Sequence, residues 1–207
     1  MMRYFFLLVL AGLLSACFGS GGVAPQNRYY HLADISSEVN HLDRPFGVIA
    51  VNPLRSDALH HDRMILYSLK STPLMLNTYY YHLWTNSPGK LIQEDLIDYL
   101  REVRFAKSIV RYGERQHIDG QITGYIQRFE RIVGGGKSGV AVRIELSFIP
   151  QTPGDKHAMT RIYNVQRTAS DNSMESTVAA FSAALQTIYG RFVADVLRNE
   201  NGDRPNP

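Results

Sequence analysis

The sequence predicts an α/β (α+β) fold: a single two-layer domain in which a mixed, twisted sheet of five to seven strands carries two long helices on one face and projects a β-hairpin. Three observations predict it. Ile92, Leu96, Tyr99, Leu100 and Val103 recur at helical spacing, and so do Val178, Phe181, Leu185, Ile188, Phe192 and Val196 further on. Between these stretches, Ile118 to Ile126 and Val140 to Phe148 alternate with the period of two that marks a strand. Each of these elements has one apolar face, and a second layer is the economical way to cover it.

Taken in order, Tyr29-Tyr30-His31-Leu32 and Phe46-Gly47-Val48-Ile49-Ala50-Val51 read as strands, the second bounded by Pro45 and Pro53. Met64 to Leu69 and Leu74 to Tyr81 flank Lys70-Ser71-Thr72-Pro73 and predict the hairpin. Ser87-Pro88 opens the first helix with a hydroxyl N-cap and proline at the first helical position; Gln93, Glu94, Asp98, Arg101 and Glu102 fall on its wet side. Ala106 to Arg111 follows as a strand and completes a strand-helix-strand crossover. A turn over Val133 to Gly139 joins the two long strands, a turn over Pro150 to Asp155 leads to a strand over Met159 to Thr168, and Asn172 with Glu175 fits a capping box for the last helix.

Ahead of this body stands a leader of a different kind. Arg3 precedes the apolar run Tyr4 to Leu13, which is shorter than the roughly 20 residues that span a bilayer, and Leu14-Ser15-Ala16-Cys17 resembles a lipobox. The expectation is a signal peptide over residues 1–16, cleaved between Ala16 and Cys17, with Cys17 acylated. Cys17 is the one cysteine of the chain, which excludes an intrachain disulfide. Phe18 rather than Asp follows it, so the bacterial sorting rule places the anchor in the outer membrane and the body on its periplasmic face. Residues 17–27, rich in glycine, form a flexible tether; residues 28–198 form the domain; residues 199–207 form a disordered polar tail.

Composition narrows the functions. With 44% apolar and 20% charged residues the chain is globular, and 22 Lys and Arg against 19 Asp and Glu, scattered, argue against a nucleic-acid partner. Gly134-Gly135-Gly136-Lys137-Ser138 imitates a phosphate-binding loop, but Arg131 stands where the motif needs glycine and a strand follows where it needs a helix. His60-His61-Asp62 lacks a second half-site for a metal and reads as a solvated turn. There is no Gly-x-Ser-x-Gly elbow, and Glu94-Asp95 lies on a wet helix side. No catalytic residue, cofactor or metal is expected. The least ordinary segment is Tyr79-Tyr80-Tyr81-His82-Leu83-Trp84, and Leu74, Leu76, Tyr79, Tyr81 and Trp84 form a candidate partner surface; the other reading of Trp84, just ahead of a helix, is core.

These residues together resemble the ABC-type transport auxiliary lipoprotein component family, whose members include the paraquat-inducible C lipoprotein. The resemblance rests on Cys17, the Tyr29-Tyr30-His31-Leu32 and Gly47-Val48-Ile49-Ala50-Val51 strands, Asp62-Arg63-Met64-Ile65 entering the hairpin, and Trp84 ahead of a helix that buries Leu96 and Leu100. It covers nearly the whole body. The family usually has a small residue, an acid and proline after the tryptophan, whereas here Thr85-Asn86-Ser87-Pro88 stands, so no role is carried over for the acid. The resemblance implies a non-enzymatic component of an intermembrane lipid-transport system in which an inner-membrane ABC transporter works with MCE-domain proteins. It implies an MCE-domain protein as partner, the outer membrane as the site of anchoring, and a ring-shaped homo-oligomer as an assembly. The alternative is a stand-alone envelope lipoprotein with a structural or assembly role, as a translocon aid or a peptidoglycan-associated scaffold.

Overall fold

The computed structural model describes residues 25–34, 41–43, 45–151 and 158–200. Ala16, Cys17, the tether as far as residue 24, most of the turn after Pro150 and residues 201–207 lie outside the described residues. The elements are β1 (Arg28–Tyr30), β2 (Phe46–Val51), β3 (Arg55–Ser56), α1 (Ala58–His61), β4 (Met64–Leu69), β5 (Thr72–Trp84), α2 (Pro88–Glu102), β6 (Ala106–Arg111), β7 (Gly120–Val133), β8 (Gly139–Pro150), β9 (Met159–Thr168) and α3 (Met174–Glu200).

The sheet is organised by β7. One edge of this long strand pairs antiparallel with β8, and β8 with β9. Its other edge is shared by three parallel strands in succession: β2 against Gly120–Ile122, β3 against Tyr125–Ile126, and β4 against Glu130–Val133. Beyond β2 lies β6, and beyond β4 lie β5 and then β1. The result is a nine-stranded mixed sheet, two strands more than the upper expectation; β3, only two residues long, is the strand that the sequence does not show.

Two expectations about strands are corrected. The run ending at Ile126 continues to Val133: a bulge between Ile126 and Arg128 inserts one residue, which flips the faces so that Phe129 and Arg131 point inward where even-numbered residues did before. The expected crossover also differs. The parallel neighbour of β6 is β2; β5, which α2 connects to it, is separated from it by three strands and runs the other way. Hydrophobic pattern marks a strand but does not choose its partner.

Helices α2 and α3 lie over the sheet and meet through Tyr99 and Tyr189, whose ring centroids are 5.4 Å apart. Leu96, Leu100, Phe181, Leu185, Ile188 and Phe192 are fully buried with Ile122, Ile144 and Leu146 of the sheet. The other sheet face is wetter at Arg143, Glu145 and Ser147. Gln93 is a correction: it is buried, and its Nε2 donates to Val51 O at 2.8 Å, tying α2 to β2. The helix starts as Pro88 predicted, but the Ser87 side chain makes no cap bond. Instead Leu54 approaches so closely that a Cβ on Gly89 would stand 2.1 Å from Leu54 O, and Leu54 N donates to Gly89 O. Only glycine permits that contact.

At α3 the cap is Ser173, whose Oγ accepts from Ser176 N at 3.0 Å; Asn172 has another duty. The helix continues through Asn199 to Glu200, into the segment read as tail. His60 is likewise not in a solvated turn. It sits buried at the end of α1, with Nδ1 2.9 Å from Asp57, whose carboxylate also caps the helix. Among the described residues no three His, Cys, Asp or Glu gather as a metal site, and no helix is long and apolar enough to cross a membrane.

Candidate functional site at the hairpin end of the sheet

Four features converge at one end of the molecule. β4 and β7 run parallel toward it and end in the turns Lys70-Ser71 and Gly134 to Ser138; β9 ends there, and α3 begins there. Lys70 N donates to Val133 O at 2.9 Å and joins the two turns. Gly134, Gly135 and Gly136 all have positive φ, 107°, 70° and 104°, so the phosphate-loop imitation is a tight hairpin turn that these glycines make possible.

Arg131 ties the end together. It is buried, its Nη1 donates to the Tyr79 hydroxyl at 3.2 Å, and its Nη2 donates to Ser138 Oγ at 3.2 Å and Asn172 O at 2.6 Å. Asn172 Oδ1 in turn accepts from Ser138 N at 2.7 Å. One guanidinium thus links β5, the β7–β8 turn and the entry to α3. Nothing in the alternation of β7 announced this, because an arginine on an inward position looks like a fault in the pattern. On the outer turn, hydrogen bonds from Ser173 hold the Asp171 carboxylate down at about 2.

Strand β5 carries the candidate surface, and its irregular pairing explains what is exposed. Against β4, Ser68 pairs with Leu76 and Leu69 with Thr72, so residues 73–75 have no opposite partners. Leu66 pairs with Thr78 and Met64 with Leu83, so residues 79–82 face Ile65 alone. The first bulge throws out Leu74, which is 100% exposed, and Met75; it also accommodates Pro73, which has no N–H to offer a ladder. The second throws out Tyr80, 75% exposed, and Tyr81. Among the described residues, 72–81 have no strand on their second edge, since β1 pairs only with His82, Leu83 and Trp84.

The five surface candidates therefore separate. Leu74 and Tyr81 are exposed, whereas Leu76 and Tyr79 are half-buried. Tyr79 packs on Tyr67 with centroids 4.4 Å apart and lies under the Arg131 guanidinium at 5.8 Å. Trp84 is a correction: it is 1% exposed, wedged between Phe129 and Phe181, and belongs to the core. Its neighbours are the reason, since Phe129 of β7 and Phe181 of α3 close over it from two sides. Met75, Tyr80 and Tyr29 join the exposed set, although the sequence did not place them on the candidate surface; Tyr29 lies under Arg63 at 5.2 Å. Beside Trp84, the Tyr30 hydroxyl and His82 Nδ1 are 2.9 Å apart, and burial, then Arg28 and Arg131, pushes the imidazole down from its ordinary value.

A second concavity, about 430 Å³, lies between residues 31–34 and α2 and is lined by Asp34, Glu94, Asp95, Asp98 and Glu102. Asp95 is not on a wet side as expected. Burial, with Asp98 adding to it and the Tyr189 hydroxyl opposing, pushes its carboxyl up to about 7. Glu94 holds Arg111 in a two-point ion pair.

The similarities of the chain agree with this architecture. No curated protein matches it. Among solved structures, protein XCC0632 from Xanthomonas campestris has a TM-score of 0.71 at 15% identity, over 85% of this chain and 98% of that one. An uncharacterized protein has a TM-score of 0.64 at 11% identity, over 83% and 99%. At such identities the likeness is one of fold. The model of the ABC-type transport auxiliary lipoprotein component family matches residues 31–191, from the end of the first strand to the last turns of α3. The chain belongs to the ABC-type transport auxiliary lipoprotein component family.

Proposed function

We propose that the protein is the non-enzymatic auxiliary component of an MCE-type ABC system that moves lipid between the inner and outer membranes. It is held on the periplasmic face of the outer membrane by acyl chains on Cys17 after cleavage behind Ala16. The observation that carries the reading is the family match over residues 31–191, which makes transport, and not chemistry, the frame for the exposed strand β5. Such a component must be anchored and must present a surface to its partner. Acyl chains in the plural anchor stably, since one chain holds only marginally.

The partner surface is assigned to the flank of β5 at Tyr80 and Tyr81, with half-buried Leu76 behind them. Unpaired edge groups accept a strand from another chain, and exposed aromatic rings next to such an edge are the residue type that dominates protein interfaces. The same edge serves a ring of identical copies or the MCE-domain protein. Purification of the lipidated protein from membranes tests this. Recovery of an MCE-domain protein, lost when Tyr80 and Tyr81 are both replaced by Ser while the melting temperature stays the same, supports the reading. Recovery of a β-barrel or glycan partner in its place points to the structural alternative.

A further inference from the structure

The direction of β1 contains information about orientation. It pairs parallel with β5, Arg28 beside His82 and Tyr30 beside Trp84. β1 therefore enters the sheet from the side of the hairpin turn at Lys70-Ser71. Resting on the reading that Cys17 is acylated, lengths can be compared. The eleven residues 17–27 reach at most about 38 Å when extended, and β5 from His82 back to Thr72 covers about 33 Å. Anchor and hairpin tip can thus lie in one plane.

The tip has the chemistry of a bilayer surface. Leu74 is wholly exposed and Met75 half so, thrown outward by a bulge at the extreme end of the molecule. Beside them Lys70, Lys137 and Arg167 line a shallow groove. The exposed carboxylates at this end are Asp171 and Glu175, and the buried Glu130 is held by Arg128 and Ser68, so Lys70, Lys137 and Arg167 leave the exposed cations in excess. The side-chain-free turn Gly134 to Gly136 lets backbone approach a surface closely, and nothing would meet a Cβ on Gly136 within 4 Å.

We infer that the hairpin tip is a second membrane contact, with Leu74 and Met75 entering the bilayer that holds the anchor and Lys70, Lys137 and Arg167 facing the phosphates of anionic lipid. The body then stands upright on the membrane, its β6–β7 end farthest into the periplasm, instead of swinging freely on its tether. Apolar insertion and electrostatic attraction to anionic headgroups reinforce one another in such contacts.

The test uses the full lipidated chain in vesicles of phosphatidylethanolamine and phosphatidylglycerol. Leu74→Cys and, at the opposite end, Arg115→Cys are each labelled with an environment-sensitive fluorophore. An acylated Cys17 has no free thiol, so the parent must remain unlabelled and float with the vesicles. The expected result is a blue-shifted Leu74→Cys label quenched several-fold by spin-labelled lipid, with the Arg115→Cys label unchanged. A Leu74→Cys label that stays in water on a floating, unlabelled parent overturns the inference alone. A blue shift without quenching overturns it too, because a neighbouring protein then covers the tip. A parent that takes the label at Cys17 overturns the anchoring reading and this inference with it.

Discussion

Asp95 shows how one residue couples the fold to pH. Its carboxyl titrates at about 7 in the folded protein against an ordinary value of 3.8, chiefly because it is buried against α3. The folded state therefore binds this proton more tightly than the unfolded state, and stability falls as pH rises from about 4 through about 7, by on the order of 4 kcal/mol from this group. Asp95→Asn removes the ionisation while keeping the shape. Denaturant midpoints of parent and variant should coincide near pH 4 and separate as pH rises, with the variant the more stable by a few kcal/mol at pH 8; a constant difference across that range contradicts the account. The same residue shows a limit of sequence reading. Asp95 and Gln93 carry polar side chains on a helix, which suggests solvent, and only the arrival of α3 and β2 on two sides of α2 buries them. Arg131 is the companion case, a cation that pattern alone discards and that three distant segments require.

At the scale of elements, the two long helices are held by apolar faces that were plain in the spacing of their residues. Leu100 and Leu185 are both fully buried, so Leu100→Asp and Leu185→Asp should each destabilise by roughly 4 kcal/mol or more, as a carboxylate is forced into the layer against the sheet. Glu94→Ala breaks a half-exposed ion pair with Arg111 and should cost about 1 kcal/mol or less. Equal melting temperatures for the three would contradict the assignment of faces. Strands were less legible than helices for an identifiable reason. A helix closes its own hydrogen bonds, whereas a strand is completed by partners far away in the chain, and bulges at Gln127 and in β5 reverse the alternation on which sequence reading relies. That is why Tyr80 and Trp84, which alternation puts on one face, end as an exposed and a buried residue.

For the molecule as a whole, separability of anchor and body is the central expectation. The tether from Gly19 to Asn27 is rich in glycine and polar residues, so nothing in it offers a core to pack. Cys17→Ser should leave melting temperature and secondary structure unchanged while moving the protein from the membrane to the soluble fraction. A membrane fraction equal to that of the parent, or an unacylated Cys17 in the parent by mass spectrometry, contradicts it. The overall α+β layering was legible because composition, two helical stripes and two alternating runs all demanded it. The partner surface was legible only as a stretch of unusual residues, since exposure there is decided by which strand edge β1 leaves uncovered. The claim that this edge serves a transport partner is tested most directly by a photo-crosslinking amino acid placed at Tyr80 in the lipidated protein in cells. An adduct containing an MCE-domain protein, absent when the probe replaces Arg115, is the predicted result; an adduct with a β-barrel protein, or none from a correctly anchored and folded protein, contradicts it.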